Sequence, residues 1–296
     1  MPARLCAAVL VPEPDFAEDW DWAYDIEAAA LTAAGIVVEP RQWTDPGDLA
    51  AFDVVLPLVA WGYHLQHPRW LALLDRMEAE RVAVINPVPL LRWNSDKSYL
   101  AELGAAGVPT VATIAVETLD DAALDAARGA FATDVVVIKP PVSASADGTF
   151  RLARGEPLPI GARGKRMLIQ PYLPGIARDG EYSLMLFGGD YSHAIVKRPK
   201  PGDFRVQPHL GGTDTACRAP DGGIELARAA LAAAPAPATY ARVDMIADEE
   251  GVLRIMELEL IEPALWLDHA PDGGRMFVAA ITSAARALGQ QPLADR

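Results

Sequence analysis

Apolar and polar positions along the chain switch between two periods. Arg4–Val11 is a nearly continuous apolar run, as a strand covered on both faces requires, and Trp22–Ala34 places Tyr24, Ile26, Ala30 and Leu31 at helical intervals before Gly35. Ile36–Val38, Val54–Val59 and Val82–Ile85 read as further short strands, and Arg69–Glu80 as a second helix. Residues 1–90 therefore predict an open α/β domain. A second unit starts at Leu91. Asn94 or Ser95 caps a helix to about Ala105, Gly107-Val-Pro109 turns into a strand over Thr110–Val116, Asp120–Ala130 is helical, and the strand Val135–Lys139 stops at Pro140-Pro141. Beyond it the chain is strand-rich: Met167–Gln170, then Glu181–Phe187 and Tyr191–Lys197 as a hairpin around Gly188-Gly189-Asp190. A helix over Gly223–Ala233, strands Thr239–Ala247 and Val252–Leu260, and a last helix over Gly274–Leu288 complete the pattern. The expected class is α/β, turning to α+β in the C-terminal part.

The hairpin Tyr240-Ala-Arg-Val-Asp244 to Met256-Glu257-Leu-Glu259-Leu-Ile-Glu262-Pro263 is the most informative segment. Side chains alternate along a strand, so Glu257 and Glu259 fall on one side and Met256, Leu258 and Leu260 on the other. If Asp248 pairs with about Gly251, Asp244 lies opposite positions 255 to 257 and close to Glu257. Three carboxylates in one patch repel, and burying them requires something positive among them. A hard divalent cation is one answer, Mg²⁺ shared with substrate phosphates above all. A solvated strand face with Arg242 and Arg254 as counter-charges is the other.

Composition narrows the partners. The 296 residues carry 26 Lys+Arg against 40 Asp+Glu, a net charge of −14, which removes broad attraction to nucleic acid or anionic membrane but leaves room for local basic pockets. Cys6 and Cys217 are the only cysteines, too few for a disulfide framework. The apolar start stops at Pro12 and reads as a strand rather than a signal peptide, and no stretch has the roughly 18 apolar residues of a membrane span. A cytoplasmic location is expected.

The basic residues that matter sit at element boundaries. Lys97 falls in the first turn of the capped helix, Lys139 precedes the small-residue loop holding Ser143, Ser145 and Gly148, and Lys197-Arg198 ends a hairpin strand. Such a loop lets backbone N–H groups approach phosphate, with a lysine as point charge. Neither GxxxxGK[ST] nor GxGxxG is present. Arg205 can grip a carboxylate bidentately or pair with Asp203. The loop Trp61-Gly-Tyr63-His64-Leu-Gln-His67 follows the third strand, where open sheets collect ligands, and is a substrate wall or an aromatic-anchored structural loop. His193, His209 and His269 are scattered and suggest no covalent intermediate.

Taken in order, these segments resemble the ATP-grasp superfamily over nearly the whole chain. The resemblance implies an N-terminal α/β domain (1–90), a central lid (91–168) and a C-terminal nucleotide and metal subdomain (169–296). It further implies ATP on Lys97, Lys139, Ser143, Ser145, Gln170, Tyr172, Leu173 and Glu181, and metal on Asp244, Glu257 and Glu259. Two Mg²⁺ ions are expected, with Mn²⁺ able to substitute. The last metal position is Glu where many relatives have Asn, which keeps oxygen ligation and adds a charge. Lys200-Pro-Gly-Asp-Phe-Arg205-Val-Gln207 through Gly212, the Trp61 loop and Glu257 through Pro263 are similar to the group of O-ureido-D-serine cyclo-ligases, itself related to bacterial glutathione synthetase. That likeness implies an ADP-forming ligase in which ATP activates a carboxylate for attack by nitrogen. Arg205 and Lys197 would be catalytic, and Trp61, Tyr63, Arg205 and Glu262 would meet an amino-acid-like substrate. Relatives also suggest a homodimer. An intermolecular peptide ligase and a non-catalytic nucleotide-binding protein on the same fold are the alternatives.

Overall fold

The computed structural model describes residues 4–207 and 210–290. His209 lies outside them. β1 (Cys6–Val11), almost wholly buried, is the centre of a three-stranded parallel sheet; α1 (Asp21–Ala33) connects it to β2 (Val37–Gln42), and β3 (Val54–Leu56) pairs on its other side. Pro40 lies on β2, at the sheet edge where its missing N–H costs no ladder bond. The loop after β3 carries the Trp61 segment into α2 (His67–Ala79), which buries Trp70, Leu73, Leu74 and Met77. Val82–Ile85 makes only a bridge between Val84 and Val55 rather than a strand. The chain leaves the sheet there because the Asn86 side-chain amide donates to the carbonyls of Tyr240 (3.0 Å) and Leu260 (2.8 Å).

The expected single helix from Asn94 is two, α3 (Val88–Asn94) and α4 (Tyr99–Ala105). Asn94 ends the first and does not cap a helix start: its amide bonds to the carbonyl of Leu258 and the N–H of Leu260, 2.8 and 2.9 Å away. Lys97 thus sits in the turn between the two helices. β4 (Ile114–Val116), α5 (Asp121–Phe131), β5 (Val135–Lys139), β6 (Phe150–Ala153) and β7 (Met167–Pro171) follow. Asp120 caps α5 by accepting from the N–H of Ala123. The four strands form an antiparallel sheet in the order β4-β7-β5-β6 around Val136, Ile138 and Ile169.

After the short α6 (Gly175–Arg178) come β8 (Glu181–Phe187), β9 (Asp190–Arg198), β10 (Thr213–Cys217), α7 (Gly223–Ala232), β11 (Tyr240–Ala247), β12 (Leu253–Glu259) and α8 (Arg275–Gln290). The second large sheet is antiparallel, in the order β10-β9-β8-β11-β12. Its two faces enter different cores. Met185, Phe187, Ile195 and Tyr240 pack with Phe277 and Ile281 of α8 and with the first sheet, while Leu184, Val243, Ile255 and Leu258 pack with α4 and α7. Two ligand-sized cavities open beside β11 and β12. Among the described residues no helix is long and apolar enough to cross a membrane.

Candidate active site

Glu257 and Glu259 share one side of the strand as the alternation predicts, and in the ladder Asp244 stands opposite Glu257 and Arg242 opposite Glu259. Each carboxylate is held by a cation of the chain. Lys97 Nζ is 2.9 Å from Glu257, Lys197 Nζ is 3.0 Å from Asp244 and 2.5 Å from Glu181, and Arg242 binds both Asp244 (3.0 Å) and Glu259. Ser183 donates a further hydrogen bond to Asp244. Burial alone would raise the Asp244 carboxyl, but Arg242 and Lys197 overcome it and hold it well below the usual carboxylate range. Glu259 goes the other way: burial, then Glu257 and Asp244, outweigh Arg242 and push it up to about 7.

Between Asp244 and Met245 the register slips by one, since Met245 pairs with Ile255, and Met256 becomes an extra residue on β12. The slip re-aims Met256. Instead of following Leu258 and Leu260 into the core, it packs with Val111, Ile176, Val206, Ile246, Tyr172 and Leu173 in an apolar cluster beside the acids.

That cluster forms part of a cavity of ≈ 150 Å³ which is also lined by Lys97, Lys139, Ser143, Ser145, Gln170, Glu181 and the three acids. The expected nucleotide-binding residues therefore share one space. Lys97 Nζ donates to the Ser143 carbonyl and lies 3.3 Å from its hydroxyl, tying the turn before α4 to the loop after β5. Lys139 is buried, and desolvation lowers its pKa to about 8 despite the nearby Glu257. Gln170 donates to Thr113 at 2.9 Å, which fixes its side chain. Ser145 donates to Glu18 at 3.1 Å and so joins the same loop to the N-terminal domain.

Beyond Glu259 and Glu262 lies a larger cavity of ≈ 540 Å³, lined by Trp22, Trp61, Trp266, Glu18, Gln207 and Arg242. Its walls are braced by indoles. Trp61 Nε1 donates to the Glu262 carbonyl (3.2 Å), Trp43 Nε1 to the Trp61 carbonyl (3.0 Å) and Trp266 Nε1 to Asp214 (2.7 Å), while the Arg242 guanidinium lies 5.4 Å from the Trp266 ring centre. Trp61 thus lines a cavity and anchors its loop, so both readings of that segment hold. Tyr63 is buried and borders the smaller cavity. Arg205 also borders it but is paired with Asp203 at 2.9 Å, the second of its two expected arrangements.

Comparison with known proteins places this arrangement. Residues 6–86 match the family model described as the N-terminal domain of D-cycloserine synthetase DcsG. The cycloserine biosynthesis protein DcsG of Streptomyces lavendulae is 32% identical over 271 residues, 85% of this chain and 90% of that one. The chain belongs to the DcsG family. A crystal structure of D-cycloserine synthetase DcsG superposes with a TM-score of 0.82 at 29% identity, covering 96% of this chain and 99% of that one. The ATP-grasp ligase PsnB, in complex with a minimal precursor, Mg and ADP, shares the fold at a TM-score of 0.61 and 15% identity, covering 94% and 98%. As a DcsG-family member the protein is an ATP-dependent ligase on the ATP-grasp fold.

Whether a divalent cation fits this DcsG-type site turns on the free oxygens. Among the described residues no three His, Cys, Asp or Glu side chains come together as a ready metal cluster. Glu257 meets Lys97, and Glu259 meets Arg242, through Oε1, which leaves Oε2 of each outside these contacts. Both oxygens of Asp244 are taken by Ser183, Lys197 and Arg242. Glu257 and Glu259 therefore fit as oxygen ligands as they stand, and Asp244 must release Lys197 or Arg242 to join them. The sequence pattern marked Arg242 only as a counter-charge, put Met256 on the core side of its strand, and gave Gln207 and Trp266 no role at the site. Its one missed signal was the Arg-x-Asp spacing, which puts Arg242 on the same strand face as Asp244.

Proposed function

We propose that this ligase closes O-ureido-D-serine to D-cycloserine, with ATP converted to ADP and phosphate and the carbamoyl group released as CO₂ and ammonia. One observation carries the proposal: the lysine-lined cavity and the indole-lined cavity share Ser145, Lys197, Gln207, Arg242, Glu259 and Glu262, so a nucleotide and a small carboxylic acid can meet in one space. The family assignment and the relative's role in cycloserine biosynthesis support the particular substrate.

In this reading the apolar cluster around Met256, Tyr172 and Leu173 takes the adenine, Glu181 the ribose, and Lys97, Lys139 and the Ser143–Ser145 loop the phosphates. Glu257 and Glu259, with Asp244 as a further ligand, would hold divalent cations, two Mg²⁺ or Mn²⁺ in their place, whose charge would offset that of the phosphates. A substrate carboxylate oxygen attacks the γ-phosphorus and ADP leaves. The ureido nitrogen then attacks the acyl carbon, phosphate departs and the nitrogen's proton goes to solvent. One water adds to the carbamoyl carbon, so that this group leaves as carbamic acid and breaks down to CO₂ and ammonia. Arg242, at the wall of both cavities, is placed to hold the carboxylate during these steps. Holding both ends of one molecule makes ring closure unimolecular, which favours it strongly over attack by water. The Ser145–Glu18 contact ties the loop after β5 to the wall of the large cavity. The four-stranded sheet bearing Lys139 is assigned as the lid; its last strand, β7, runs on to Pro171, beyond the expected 91–168 boundary.

The acyl-phosphate step is tested with substrate labelled by ¹⁸O in its carboxylate. One labelled oxygen is expected in each phosphate released. Phosphate without label would overturn the mechanism.

A further inference from the structure

The larger cavity has a carboxyl group that the chain leaves without counter-charge. The lysine and the arginine at its wall are committed, Lys197 to Glu181 and Asp244, Arg242 to Asp244 and Glu259, and burial pushes the third basic group there, His64, toward its neutral form. Glu262 lines both cavities and, among the described residues, has no Lys, Arg or His within ion-pair distance. A second, separate group points the same way. Gln207 Oε1 is buried without a hydrogen-bond partner among the described residues, although Gln207 lines the same two cavities. A buried acceptor left unpaired is costly, so it calls for an N–H from a ligand. The third feature is the wall itself: Trp22, Trp61 and Trp266 present indole rings, whose faces attract cations. Trp22 and Trp61 pack edge to face at 5.9 Å, and Trp61 is hydrogen-bonded to the Glu262 backbone, so ring and carboxylate are held together.

We propose that Glu262 and Gln207 receive the ammonium group of an amino-acid substrate against the tryptophan wall, making the large cavity selective for zwitterions over simple carboxylic acids. The inference rests on the ligase reading for the opposite, carboxylate end of the substrate. Fixing the ammonium at Glu262 leaves that carboxylate to reach Arg242 Nη1, which lies outside the pairs with Asp244 and Glu259, and the nucleotide cavity, which Glu262 also borders. The competing role for Glu262, a further ligand to the metal beside Glu257 and Glu259, predicts a different dependence and is separated by the test.

The test compares wild type, Glu262→Gln and Gln207→Met, with thermal unfolding as a check on folding. ADP release is measured with O-ureido-D-serine and with its analogue lacking the amino group, 3-(ureidooxy)propanoate. The wild type is expected to favour the amino acid by about 30-fold in kcat/KM, the scale of one charge-assisted hydrogen bond. Glu262→Gln should abolish that preference by raising the amino-acid KM, with the ATP KM and the Mg²⁺ requirement unchanged; Gln207→Met should shift it the same way by less. An equal loss on both substrates, or a raised Mg²⁺ requirement, overturns the proposal. A binding arm works without turnover: D-serine methyl ester, which has the ammonium and no carboxylate, is titrated by tryptophan fluorescence. Glu262-dependent binding of the ester alongside no ADP release from O-ureido-D-serine would fell the cyclo-ligase reading and keep this one. Ester binding that is absent, or indifferent to Glu262, overturns this one.

Discussion

Asp244 and Glu257 face each other across the β11–β12 ladder, yet each is held by a different lysine, Lys197 and Lys97. Directly opposed like charges destabilise a sheet, and here the two ammonium groups offset the repulsion. Glu257→Gln removes the charge that holds Lys97 and one of the two carboxylates ready for a cation. ADP release should fall by about 10²–10³-fold, the usual scale for losing one preorganised electrostatic group. A loss of less than tenfold, at saturating ATP and Mg²⁺, would contradict the assignment.

Arg242 is buried between Asp244 and Glu259 and braced against Trp266. Removing one partner from a buried ionic network leaves its acids uncompensated, so Arg242→Ala should lower stability by about 3–5 kcal/mol in addition to abolishing turnover. Urea unfolding measures the first effect. Adding Glu259→Gln should restore part of the stability and none of the activity.

Lys139 gives a pH signature. Desolvation lowers its pKa to about 8 in the folded protein, against 10.5 for an ordinary lysine, so between these values the unfolded chain binds more protons and stability rises with pH. Bound phosphates favour the charged lysine. At pH 9, ATP binding should therefore take up as much as about one proton, read by calorimetry in two buffers of different ionisation enthalpy. Lys139→Met should bind more weakly and without that uptake.

Gly212 shows why the segment before it keeps its shape. A Cβ there would lie 2.0 Å from the carbonyl oxygen of Val206, a backbone atom that cannot swing away. Gly212→Ala should displace Val206 and Gln207 from both cavities and Phe204 and Arg205 from the smaller one, raising the KM for ATP while costing about 1–3 kcal/mol of stability. Unchanged KM values would show that this backbone approach does not shape the site.

Much of the site was legible because it depends on short-range rules. The two-residue period placed Glu257 and Glu259 on one face, and the turn around Asp248 put Asp244 opposite positions 255 to 257; the one-residue slip brings it opposite Glu257 itself. The same period misplaced Met256, since a one-residue slip in the ladder has no mark in a pattern that repeats regularly. Asn94 was misread as a cap because its amide partners, on Leu258 and Leu260, lie more than 160 residues away. β6 and β10 are short and mostly solvent-facing, Phe-Arg-Leu-Ala and Thr-Asp-Thr-Ala-Cys, and show too little apolar alternation to stand out. The lysines were expected on phosphates; the structure shows the charges they hold meanwhile, Lys97 on Glu257 and Lys197 on Glu181 and Asp244.

The most direct measurement is product analysis after incubating the protein with ATP, Mg²⁺ and O-ureido-D-serine. The account predicts D-cycloserine and ADP in equal amounts, with no added amine required. ADP formed only when a separate amine is supplied, with an open-chain amide as product, would contradict it.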